Sequence, residues 1–149
     1  RNQYEAQIGK FKKAIVPQIT TSKEFINDIE NGEISNHKDK PIVTYCTGGI
    51  RCEILSAMMK NRGYEKVYQI DGGIAKYGEK YGSKGHWEGN MFVFDGRMRM
   101  AFDDETPDIG ICEICNAKTS NLLNSGNVRR ELHVICPDCV RAEKHVHIV

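Results

Sequence analysis

No apolar stretch in this chain approaches the roughly 20 consecutive residues that a helix needs to cross a bilayer, which excludes a helical membrane span. The first residues also lack the basic, apolar and small-residue zones of a secretory signal, so a soluble protein of the cytoplasm is the expectation. An excess of one charge is missing too: 21 Lys and Arg face 20 Asp and Glu, and residues 110–149 carry five basic against four acidic side chains. No segment is basic enough to demand nucleic acid on charge alone. Motifs for a flavin, a haem or a facial-triad metal are not visible, and no organic cofactor is identified. What is present, 149 residues of which 40% are hydrophobic and 28% charged, is room for one ordinary domain and a small satellite.

Six residues carry the chemistry, Cys46-Thr47-Gly48-Gly49-Ile50-Arg51. They follow the apolar run Pro41-Ile42-Val43-Thr44-Tyr45 and lead into a helical pattern, which puts a cysteine at a strand-loop-helix turn. Two glycines let the loop curl so that the N–H groups of Thr47 to Ile50 can point inward, and such a nest at a helix N-terminus stabilises an anion. The anion available is the Cys46 thiolate. With Arg51 adding positive charge, this thiol is expected to ionise well below the free cysteine value of roughly 8.5 and to be nucleophilic.

From Arg51 to Arg62 the residues Ile54, Leu55, Met58 and Met59 recur at helical spacing, predicting a helix that buries that face and ends at Gly63. A second helix is predicted between Ser22 and Asn31, with Phe25, Ile26 and Ile29 on one side. Cys52 sits one residue after Arg51, and two readings of it stay open. It is a resolving thiol that traps a persulfide or sulfenate at Cys46 as a disulfide, or a small apolar residue packed under the loop.

The run KPIVTYCTGGIRCE resembles the active-site segment of rhodanese-type sulfurtransferase domains. Arg1 to Glu5 and Gly9 to Ala14 resemble the early signature of that family, with Lys10 and Lys13 where His and Gly are common. Lys66 to Ile74, with its Gly72-Gly73 pair, resembles the closing strand and turn. The resemblance implies a rhodanese-like α/β fold, a parallel sheet with helices on both faces, and a cysteine that carries sulfane sulfur as a persulfide. It also implies a strand before Arg1, so the chain is expected to be cut from a longer protein. Related phosphatases carry five residues between cysteine and arginine, whereas Thr47 to Ile50 are four. The smaller cradle suits a single outer sulfur better than a phosphoryl group.

The other cysteines form a separate constellation. Cys112-Glu113-Ile114-Cys115 and Cys136-Pro137-Asp138-Cys139 are two CxxC knuckles separated by twenty residues, the spacing of a zinc-ribbon-like module. A structural zinc ion held by Cys112, Cys115, Cys136 and Cys139 is the expectation, with an iron–sulfur cluster or disulfides as alternatives. Four thiolates saturate such a site, so His133, His145 and His147 are expected to be exposed.

Between these parts, Met91 to Phe94 is predicted as a strand, Asp95-Gly96 as a turn and Arg97 to Phe102 as the return strand. The Trp-x-Gly and Phe-Val-Phe-Asp-x-Arg runs, placed directly after the rhodanese-like segment, resemble one subfamily, the bacterial tRNA uridine hydroxylases. That resemblance implies oxygen-dependent conversion of the wobble uridine to 5-hydroxyuridine, with tRNA as partner. A sulfurtransferase using a sulfur donor or thiol is the alternative, and a non-catalytic tRNA- or protein-binding module a third. The expected organisation is a catalytic domain in 1–85, a hairpin extension in 86–109 and a four-cysteine module in 110–149.

Overall fold

The computed structural model of the chain describes residues 1–19, 21–126 and 131–143. They fall into two compact units: Arg1–Gln3 with Lys13–Tyr81, and Tyr4–Lys12 with the described part of Gly82–Val149.

In the first unit, helix α2 (Ser22–Asn31) starts at a reciprocal cap. The Thr21 hydroxyl accepts from the Glu24 N–H at 3.2 Å, and the Glu24 carboxylate accepts from the Thr21 N–H at 3.1 Å. Two orphan amides are thereby satisfied, an arrangement stabilising a helix by about 1 kcal/mol. Phe25 and Ile29 are buried one turn apart and meet Met59, Tyr64 and Val67 in a core flanked by Ile19, Ile34, Ile42 and Leu55. The Tyr64 hydroxyl is satisfied there by donating to the Ile29 carbonyl.

Strand β2 (Ile42–Thr44) lies parallel to β3 (Val67–Gln69), with Ile42 opposite Val67, Val43 opposite Tyr68 and Thr44 opposite Gln69. Helix α3 (Ile50–Lys60) makes the crossover that parallel strands require. The chain leaves it through Gly63, whose N–H donates to the Lys60 carbonyl while the Tyr64 N–H returns to Met59, a Schellman-type end. Strand alternation sends Ile42 and Val67 to the core face. Val43 and Tyr68, on the opposite face, are 55% and 57% exposed.

The buried face of α3 differs from the one its apolar letters predict. Cys52, Ser56 and Met59 are buried, whereas Ile54 is 64% exposed. The cause is the strand beneath: the Thr44 and Ser56 hydroxyls meet at 3.1 Å, so a polar residue is satisfied inside and rotates the apolar stripe outward. Helix α4 (Gly73–Tyr81) follows β3 and ends the unit.

The second unit contains α1 (Gln3–Ile8) from Tyr4 onward and three antiparallel strand pairs. Strand β1 (Gly9–Phe11) pairs with β4 (Trp87–Gly89), β5 (Met91–Phe92) with β6 (Arg99–Met100), and β7 (Leu122–Asn124) with β8 (Leu132–Val134). A five-residue helix, α5 (Pro137–Arg141), completes it. Ile8, Phe92, Leu122, Leu132 and Val134 form its core, with Tyr4 edge-on to Phe92 at 5.2 Å. Buried Asn90 donates to the Ser120 hydroxyl at 3.1 Å and to Asp108 at 3.2 Å, as a buried amide must.

The predicted hairpin is present but shorter, with Met91 opposite Met100 and Phe92 opposite Arg99. Its turn consumes the missing positions. Asp95 accepts from the Arg97 N–H and grips the guanidinium from both carboxylate oxygens, and Met98 takes a left-handed backbone at φ 57°. Arg97 therefore belongs to the turn and not to the return strand. Trp87–Gly89, outside the predicted hairpin, is a strand because Gly9–Phe11 offers it a partner across the sequence.

Candidate active site and cysteine cluster

Cys46 follows β2 and is 4% exposed. Three main-chain N–H groups converge on its Sγ, those of Gly49, Arg51 and Cys52, the first at 3.1 Å. The curl that aims them requires Gly49 at φ 95°, left-handed backbone that glycine adopts without steric penalty. A second close approach fixes the loop from the other side. The first amides of α4 reach back, Ile74 N–H to the Cys46 carbonyl and Ala75 N–H to the Thr47 carbonyl, both at 3.0 Å. A Cβ on Gly73 would stand 2.6 Å from both of those carbonyl oxygens, so no side chain fits there.

Burial is the largest influence on the Cys46 thiol and works to raise its pKa. The hydrogen bonds from the Cys52 amide and thiol and from the Gly49 and Arg51 amides outweigh it and hold the group below its ordinary value. Arg51 acts on the sulfur through its backbone N–H, and its side chain lines the adjoining cavity. Cys52 behaves oppositely: burial first, then the Cys46 charge, push it up to about 11. Of the other loop residues, Thr47 anchors α4 through its carbonyl and Ile50 projects outward, 77% exposed. Gly48 precedes the Gly49 turn.

Beside Cys46 lies a cavity of about 270 Å³. Its walls combine apolar Ile19, Phe25, Ile54 and Leu55 with the polar groups of Arg1, Asn2, Tyr45 and Arg51. Of these, only Arg51 was singled out by sequence as a site residue; Tyr45, adjacent to Cys46, is the one its position could have flagged. Thr44 and Ser56, beneath Cys52, went unpredicted because an isolated hydroxyl in a strand or helix carries no sequence signature.

In the second unit the two knuckles come together. The sulfurs of Cys112, Cys115, Cys136 and Cys139 all lie within 4.8 Å of one another, and three of the four residues are buried. A tetrahedron with metal–sulfur bonds of ~2.3 Å has sulfur–sulfur edges of ~3.8 Å, and Cys115 stands 3.6 Å from Cys136. Amides support the sulfurs, Cys136 N–H to Cys112 at 3.3 Å and Cys139 N–H to Cys136 at 3.4 Å, the outer contacts that orient thiolate ligands. The cluster fits one metal ion. Burial opposes ionisation of Cys112, yet the amides of Cys136, Cys115 and Ile114 hold it at about 6; burial and the neighbouring sulfurs push Cys139 up to about 12.

His133 departs from the expectation of exposure. Its Nδ1 is 2.9 Å from the Glu113 carboxylate, which also accepts from the Val134 N–H, so the ring is half-buried as a clamp between the first knuckle and β8. His145 and His147 lie outside the described residues.

Comparison with known proteins extends this picture. Residues 1–80 match the family model for the rhodanese-like domain, and residues 88–148 match that for the rhodanase C-terminal region. The tRNA uridine(34) hydroxylase of Corynebacterium jeikeium (strain K411) is 58% identical over 140 residues, covering 93% of this chain and 45% of that protein. The hydroxylases of Corynebacterium urealyticum and Arthrobacter sp. (strain FB24) are 56% and 54% identical, each over 140 residues, 93% of this chain and 47% of the relative. The chain thus spans about half the length of the curated relatives it matches. With its thiol loop inside the matched segment, the chain belongs to the rhodanese-like domain family.

Proposed function

We propose that this protein hydroxylates the wobble uridine of tRNA to 5-hydroxyuridine in an oxygen-dependent reaction, with Cys46 as the reacting thiolate. The observation that carries the reading is a thiol whose ionised form three amides favour, at the wall of a cavity large enough for a pyrimidine nucleoside. The names of the relatives supply the substrate. Apolar walls suit the faces of the base, and Arg1, Asn2 and Arg51 suit its carbonyl and phosphate oxygens. Addition of the Cys46 sulfur to C6 of the uracil ring places the displaced electron pair on C5 and O4. C5, now electron-rich, takes one atom of O2 while an external two-electron donor reduces the other to water, and loss of the C5 proton then expels the Cys46 thiolate from C6 and restores the ring. Catalytic Cys46, Arg51 and Cys52, and the loop Thr47, Gly48, Gly49 and Ile50, form one working unit in this reading. Nucleoside mass spectrometry of tRNA from cells carrying only the Cys46→Ala full-length protein tests it: 5-hydroxyuridine is expected to vanish, and its retention would overturn the assignment.

A second reading is favoured by the size of the cradle. Three amides around one sulfur also suit the outer sulfur of a persulfide, so sulfane sulfur transfer from a donor through Cys46 to a thiol is the competing activity. High turnover of thiosulfate and cyanide without tRNA would establish it in place of the first.

The cysteine cluster is read as a structural zinc site. Zinc would be held by Cys112, Cys115, Cys136 and Cys139, supplying folding free energy to a segment with a small core. The parallel pair β2–β3 is read as part of a wider sheet with helices on both faces, exposed Val43 and Tyr68 being the positions a helix would cover. Functionally, residues 1–85 are assigned to catalysis, 86–109 to the hairpin extension and 110–149 to metal binding. No described helix is long and apolar enough to cross a membrane, and a cytoplasmic location follows from the tRNA substrate.

A further inference from the structure

Cys52 is 2% exposed in the first turn of α3, and both its polar groups face the reactive sulfur. Its N–H is shared between the Gly49 carbonyl, at 3.0 Å, and Cys46 Sγ, and its thiol hydrogen-bonds Cys46 Sγ as well. On its other side stands the Thr44 hydroxyl, which meets Ser56 Oγ at 3.1 Å and the Tyr68 carbonyl at 3.2 Å. Cys46, Cys52, Thr44 and Ser56 thus form a line of polar side chains running inward from the cavity wall. A cysteine serving only as apolar filler needs no hydroxyl pair beneath it. The arrangement matches a thiol whose proton must be held and then released.

We propose that Cys52 is the resolving thiol of this site, displacing sulfane sulfur from a Cys46 persulfide and closing a Cys46–Cys52 disulfide. The inference rests on the reading of Cys46 as the reactive thiol. In the step, Cys52 Sγ attacks Cys46 Sγ and forms the new sulfur–sulfur bond. The bond from Cys46 to its outer sulfur breaks, and that sulfur departs with the bonding pair and the proton from Cys52. The Cys46 persulfide and the Cys52 thiol become one disulfide and one molecule of hydrogen sulfide. The outer sulfur gains the two electrons that the two cysteines lose, so the only co-reactant is the polysulfide that loaded Cys46. A dithiol reductant reopens the disulfide.

The surroundings set the order of events. While Cys46 is an anion, burial and that charge keep Cys52 protonated and silent. Once Cys46 is a persulfide, the negative charge moves to its outer sulfur, one bond farther out than Cys46 Sγ, and the Thr44 hydroxyl remains to stabilise a developing Cys52 thiolate. The site would then release sulfide before an external acceptor collects the sulfur, which separates this chain chemically from a simple sulfurtransferase.

The test loads the full-length protein with inorganic polysulfide, removes the excess, follows released sulfide and maps linkages by peptide mass spectrometry after alkylation. Trypsin cuts after Arg51, so the product is recognised as two peptides joined through Cys46 and Cys52. The unmodified protein is expected to release stoichiometric sulfide and yield the joined pair, and Cys52→Ser to keep an alkylatable persulfide at Cys46. A persulfide as durable in the unmodified protein as in Cys52→Ser, with no joined pair, overturns the inference alone. Absence of any sulfur uptake at Cys46 overturns the underlying reading and the inference with it.

Discussion

The loop at Cys46 and the cluster at Cys112, Cys115, Cys136 and Cys139 both direct main-chain N–H groups at cysteine sulfur, and they differ in what the sulfur faces. Cys46 receives three amides and looks onto a cavity of about 270 Å³, so its negative charge is stabilised without being consumed. The four sulfurs of the cluster face one another within 4.8 Å, so a cation at their centre would consume all four charges. The same backbone device therefore serves reactivity in one unit and cohesion in the other. What decides is the number of sulfurs that share the space.

The comparison breaks first at the cluster. Cys112→Ser, or zinc withdrawal by a chelator, is expected to unfold the second unit, because structural zinc contributes roughly 10 kcal/mol to modules of this size; near-ultraviolet circular dichroism and metal release report it. An unchanged spectrum after complete chelation would remove the structural role. In the full-length protein, Cys46→Ala is expected to lower the proposed tRNA hydroxylation by at least about 1,000-fold, as loss of a reacting group does, with thermal unfolding barely moved. A melting temperature lowered as far as in Cys112→Ser would make Cys46 a structural cysteine.

Gly73→Ala sharpens the loop side, since its Cβ would press on the Cys46 and Thr47 carbonyls. A loss of about 1–3 kcal/mol is expected from backbone strain, accompanied by slower alkylation of Cys46; urea denaturation and iodoacetamide kinetics measure the two. Thr21→Ala is the smallest change, about 1 kcal/mol from the lost cap, and it should leave Cys46 alkylation untouched. If alkylation falls with it, α2 does more than pack.

Several features were legible in the letters because local chemistry determines them. Helix α2 follows from Phe25, Ile26 and Ile29 at helical spacing, and each CxxC knuckle is a two-residue turn. The curl of the thiol loop follows from Gly49. Other features depend on partners distant in sequence. Ser56 is buried only because Thr44 offers it a hydrogen bond, so apolar periodicity misplaced the inner face of α3. Trp87–Gly89 becomes a strand only beside Gly9–Phe11. Which amides reach Cys46 was likewise hidden: the donors Arg51 and Cys52 belong to the first turn of α3, where a sequence pattern shows helix but not aim.

The central claim is that the amide ring favours the charged form of Cys46 and holds its thiol below the ordinary cysteine pKa. Iodoacetamide alkylation of Cys46, followed peptide by peptide from pH 5 to 10, measures it directly. Because the charged form is favoured, the rate should rise and level off at a pH below the ~8.5 of a free cysteine, while Cys52 in the same digest reacts only at far higher pH. A Cys46 rate still climbing above pH 9, in step with Cys52, would contradict the account.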